Sequence, residues 1–153
     1  MTNQAPQTPA YPLPEGNAIG AAAHEALDNH FKAVARLGRV MAVVTAAAVR
    51  DILTDHDHAA PFDAAHAELI EAEDGSLHAT GRYWTKDGTE TSFNEAIGER
   101  AGEMGVFGMN EWTPYMGYEN QAVWKPLVTA LPSRHGQTVY RFDLAKAAAL
   151  PLD

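Results

Sequence analysis

The sequence predicts an α+β protein: a long N-terminal helix or helical pair packed on a small antiparallel sheet of three or four strands, with one or two further helices. Three observations lead there. Apolar residues recur at spacings of three and four from residue 18 to about residue 57. Two alternating segments, 67–73 and 77–84, flank Asp74-Gly75-Ser76. Capped helical segments return after residue 92. Helices and strands segregated along a chain build separate layers, with the strands paired antiparallel.

The first helix is set by Ile19, Ala23, Leu27, Phe31, Val34 and Leu37, one apolar face at helical spacing. Asn17 is the expected N-cap, and Asp28 and Lys32 sit one turn apart as a favourable pair. Gly38 then lowers helix propensity by about 1 kcal/mol relative to alanine. The pattern resumes at Met41, Val44, Ala48 and Ile52, so either one helix continues or two meet near Gly38. With Val40, Val43, Val49 and Leu53 this stretch is apolar nearly all round. Such a helix must be covered on every side, and one sheet covers one side. It therefore belongs at the centre of the fold or in a subunit interface, which points to a homo-oligomer. Its apolar run, 40–49, falls well short of the roughly 20 residues a bilayer requires.

After Pro61 the reading turns to strands. Asp74-Gly75-Ser76 supplies the positive φ of a hairpin turn. In 77–84, Leu77, Ala79 and Tyr83 face one side and His78, Thr80, Arg82 and Trp84 the other. Lys86-Asp87-Gly88 makes a further turn. Ser92 and Glu95 have the spacing of a capping box for a helix carrying Phe93, Ile97, Ala101 and Met104, thinned by Gly98, Gly102 and Gly105. Residues 105–121 read as irregular. A strand is expected at 122–127, at a sheet edge because of Pro126; 132–136 reads as a loop. Residues 138–142 read as a strand, and Asp143 caps a short helix that Pro151 stops.

Residues 1–17 carry Pro6, Pro9, Pro12 and Pro14 and read as a proline-rich arm or disordered tail; 18–153 read as a single domain. The first residues lack the basic and apolar regions of a signal peptide, and the expected location is the cytoplasm. There is no cysteine, which excludes disulfides, thiolate metal sites and a cysteine nucleophile. Alanine is abundant and arginine outnumbers lysine, a bias of G+C-rich genomes that suits a bacterial or phage source.

The formal charge of −9 is unevenly spread. Residues 51–104 hold 13 acidic and three basic residues; the flanking segments are close to neutral. Nucleic-acid binders need the opposite sign, so direct binding of DNA or RNA is disfavoured. An acidic surface keeps a protein soluble, meets a basic partner, or imitates nucleic acid.

Few chemical motifs are present. Asp55, His56 and His58 form the densest group of metal-ligand residue types. On a helix His56 and His58 point in nearly opposite directions, so a site would need ligands from elsewhere, such as Asp63, His66 or Glu68. Ser133 lies near His135 only in sequence, and no phosphate loop or nucleophile elbow occurs. The paired carboxylates Glu71/Glu73 and Glu95/Glu99 fall at positions expected to be exposed. A cluster of aromatic residues, Phe107, Trp112, Tyr115, Tyr118 and Trp124, is interleaved with Met104, Met109 and Met116. Such residues anchor partner contacts, or complete a core from a covering coil. The reading is thus a non-enzymatic, acidic accessory or assembly protein acting through a protein partner and self-association, without cofactor or membrane contact. The alternatives are a metal-binding protein or metal-dependent hydrolase on Asp55, His56 and His58, and a nucleic-acid mimic.

Overall fold

The computed structural model describes residues 9–153, so the first half of the expected arm, with Pro6, lies outside the described residues. Contacts divide the chain between Lys32 and Ala33. In chain order the elements are α1 (Gly16–Thr54), β1 (His66–Glu71), β2 (Leu77–Trp84), β3 (Glu90–Ser92), α2 (Phe93–Ile97), α3 (Glu99–Met109), α4 (Gln121–Trp124), β4 (Val128–Arg134), β5 (Gln137–Asp143) and α5 (Leu144–Ala148). The class is α+β, with a long N-terminal helix. The antiparallel sheet has five strands, in the order β3-β2-β1-β5-β4, rather than the three or four expected.

The helix α1 does not break at Gly38. That glycine is buried, and a Cβ there would meet the Asn120 side chain at 3.1 Å, so its role is close approach. Glu15, not Asn17, closes the helix start. Its carbonyl accepts from the Ile19 N–H (3.1 Å) and its carboxylate from the Asn17 N–H (3.3 Å). Residues 16–32 are exposed throughout, the apolar Ile19, Leu27 and Phe31 among them. Along 33–54, Met41, Ala42, Thr45 and Val49 are buried, and most of the intervening residues are half-buried. No helix among the described residues is long and apolar enough to cross a membrane.

The two extra strands are explained by their surroundings. The strand β3 is only three residues long, and its pairing with Arg82, Tyr83 and Trp84 of β2 defines it. The strand β4 runs through Pro132, read as loop from sequence. It is a sheet edge, and its register shifts between Leu131 and Arg134, so the missing N–H breaks no ladder bond. The strand expected at 122–127 is instead α4 followed by a 3-10 turn, Lys125–Leu127, with Pro126 in its first turn, where an N–H has no partner to lose. The helix expected after Ser92 is two helices, α2 and α3, separated at Gly98 (φ 97°). Both predicted caps are present: Ser92 Oγ accepts from the Glu95 N–H (3.2 Å) and Asp143 Oδ1 from the Lys146 N–H (3.0 Å). Glu95 does not complete a reciprocal box; its carboxylate accepts from Thr91 Oγ1.

The sheet is two-faced, with a shift in the β1–β2 register between Ala67 and Leu69. Ala67 and Leu69 on β1, Leu77, Ala79 and Tyr83 on β2, and Tyr140 and Phe142 on β5 enter one apolar cluster with Met41, Ala42 and Val49 of α1. The opposite face carries Glu68, opposite Arg141 in register, and Thr80 of β2. Glu68 is only 2% exposed. Its carboxylate accepts from both Arg134 guanidinium nitrogens and from Thr80 Oγ1 (2.9 Å). Beside it the Arg141 guanidinium lies 4.5 Å from the centre of the Trp84 ring. Side chains alone thus close this face over buried Trp84 and Val139.

One edge of β2 needs help. The strand β3 reaches only as far as Arg82, leaving Leu77 and Ala79 without a strand neighbour on that side. The segment after α3 fills the gap. The Leu77 N–H donates to the Met116 carbonyl (3.0 Å), the Ala79 N–H to Asn110 Oδ1 (2.7 Å), and Asn110 Nδ2 to the Ala79 carbonyl (3.2 Å).

Asn110→Ala leaves both Ala79 backbone groups unpaired and should cost about 2 kcal/mol or more, read as a lower urea midpoint. Arg134→Leu strands a buried carboxylate. It should therefore destabilise more than the double variant Glu68→Leu/Arg134→Leu, in the same denaturation series; equal losses would show that the stranded carboxylate carries no penalty.

Candidate functional site

The aromatic segment splits into inward and outward residues. Trp124, expected as a partner contact, is a core residue with no exposed surface. Its indole N–H donates to the Gly117 carbonyl (2.8 Å), and its ring meets Tyr140 edge-on. Met109, Met116 and Thr113 are buried with it. Asn120 ties the coil together: its side chain accepts from the Gly117 N–H (2.9 Å) and donates to the Tyr115 carbonyl (3.0 Å). Sequence reading missed Asn110 and Asn120. Asparagines in a glycine-punctuated coil were the available signal, since their side chains pair with backbone groups.

Phe107, Trp112, Tyr115 and Tyr118 remain outside, Phe107 at 75% exposure. Tyr115 and Tyr118 border a shallow pocket of about 300 Å³ with Val34 and Leu37. Trp112 borders a different and larger feature, a groove between the C-terminal turns of α1 and the helix α3. Two adjoining cavities of about 380 and about 870 Å³ share Asp51, Ile52, His56, Met104 and Gly105.

The groove follows from the spacing of small residues. On α1, Val44, Ala47, Ala48, Asp51 and Ile52 fall on one stripe; on α3, Ala101, Met104, Gly105 and Gly108 do the same. Gly105 packs close against Ile52 and brings the two helices together, while Gly108 faces open space. Met104, 68% exposed, and Trp112, 46% exposed, stand on the rim. The charged residues lining it are Asp51, Asp55 and Glu111; no lysine or arginine does.

Asp55 and His56 lie at one end of this groove, just past α1. Both hold positive φ (51° and 64°), a conformation Asp and His tolerate better than most residues. His58 does not join them; its Nε2 lies 3.2 Å from Asp51 Oδ1, which also accepts from Arg50 Nε. Among the described residues, no three His, Asp or Glu side chains are placed to hold a metal ion.

The carboxylates of 51–104 are largely occupied locally. Asp63 accepts from the Lys86 N–H (2.7 Å), Glu90 pairs with Arg82, and Glu68 is buried against Arg134. Ser76 donates twice to Asp74, lowering its pKa. The Thr85 and Thr89 hydroxyls hold Asp87 down to about 2. His66 is shifted down by partial burial, only partly offset by Asp143. No family model, curated protein or solved structure matches the chain.

Trp124→Ala should cost about 3–5 kcal/mol, whereas Tyr118→Ala should stay within about 0.5 kcal/mol. Thermal denaturation of the two variants checks this division of the aromatic segment; similar losses would contradict it.

Proposed function

We propose that this chain is a non-enzymatic interaction protein, an accessory or assembly subunit that works through protein–protein contacts, copies of itself included. The observation that carries the reading is exposed apolar surface set on regular helices. Residues 16–32 present Ile19, Leu27 and Phe31 at helical spacing, and α3 with the turn after it presents Met104, Phe107 and Trp112. Scattered exposed apolar residues are ordinary, whereas an apolar stripe on a helix and an apolar-rimmed groove are the two halves of a common recognition mode. Methionine and tryptophan are the residue types that adapt to and anchor such contacts. Several carboxylates of the acidic region have structural partners in turns and in the buried Glu68–Arg134 pair, and the apolar surfaces are the stronger support.

Light scattering across a concentration series tests this. The wild-type chain should exceed the monomer mass of 16.5 kDa. Leu27→Glu/Phe31→Glu should lower that mass while changing unfolding free energy by no more than about 0.5 kcal/mol, because both positions are exposed. A clean monomer at high concentration, together with no capture of a host protein, would reject the reading.

A further inference from the structure

Residues 16–32 form a helical segment with an uncovered apolar stripe. Taking Leu27 as the reference and 100° per residue, Ile19, Ala23, Leu27 and Phe31 fall within an arc of about 120°. His24 borders the stripe about 60° to one side of Leu27, and His30, about 60° to the other side, lies within it between Ala23 and Ile19. Glu25 and Asp28 stand about 160° and about 100° away, so no carboxylate shares the stripe. Ile19 to Phe31 covers about 18 Å of helix.

The groove between α1 and α3 is the counterpart. It follows α1 from Val44 to Thr54, about 15 Å. The small residues Ala47, Ala48 and Gly108 line it, and Met104 and Trp112 provide apolar rims. Its charged lining is wholly acidic, apart from His56. A helix that entered with carboxylates forward would be repelled. This segment enters with its apolar residues and His30 forward and its carboxylates turned away.

We infer that residues 16–32 of one copy dock in the α1–α3 groove of another copy, by apolar fit and by keeping their carboxylates off its acidic lining. The inference rests on the self-association reading above and names its two surfaces. Opposing surfaces of different kinds make the contact heterologous, so it closes as a reciprocal exchange, forms a ring, or continues as a string.

The chain has no cysteine, so single cysteines can be placed at will. Full-length Phe31→Cys and full-length Met104→Cys are mixed under mild oxidation, and any bond between them must cross copies. The mixed disulfide should form at least tenfold faster than the Phe31→Cys homodimer. In parallel, Leu27→Glu and Met104→Glu should each lower the self-associated mass alone. Their equimolar mixture should regain association, since one supplies the groove and the other the stripe. Symmetric Phe31→Cys dimers alone, or Met104→Glu associating like wild type, would overturn the inference while leaving self-association intact. A monomeric wild-type chain would instead overturn the reading on which it rests.

Discussion

The half-open edge of β2 is the constraint around which the C-terminal half is arranged. A buried strand edge with unpaired N–H and C=O groups costs about 1–3 kcal/mol for each group left unmet. Since β3 stops short, the chain brings the segment after α3 along that edge, where Asn110 and Met116 pair with Ala79 and Leu77. This placement gives the coil two sides. Met109, Met116 and Trp124 turn in to the sheet, and Trp112, Tyr115 and Tyr118 turn out. One coil thus completes the core and supplies an exposed aromatic surface.

The opposite sheet face is sealed differently. Here Arg141 covers Trp84, and Arg134 reaches Glu68. A carboxylate buried in this way is tolerated because three donors meet it. Glu68 belongs to the region that holds the whole formal charge excess, yet its charge never reaches the surface. Much of the remaining acidity there is committed to turns, caps and pairs, as at Asp63, Asp74 and Asp87.

The groove and the exposed stripe have a common origin in residue size. Between α1 and α3 the small Ala47, Ala48 and Gly108 line a groove, although Gly105 packs against Ile52. Where residues 16–32 carry Ile19, Leu27 and Phe31, large apolar side chains stand without a covering element.

Local rules determined much of this protein from sequence. Helical periodicity gave α1, the turn at Gly75 gave the β1–β2 hairpin, alternation gave the two faces of β2, and short-range oxygens gave the caps at Ser92 and Asp143. Each depends on neighbours within four residues or so. Tertiary structure decided what depends on distant partners. The strand β3 exists because β2 is beside it, β4 accepts Pro132 because it is an edge, and Trp124 is core because Tyr140 and Gly117 reach it. Asp55 and His56 were legible as polar chemistry, but His58 turned to Asp51. The groove that Asp55 and His56 border was not legible, because a cavity is made by two helices some 50 residues apart.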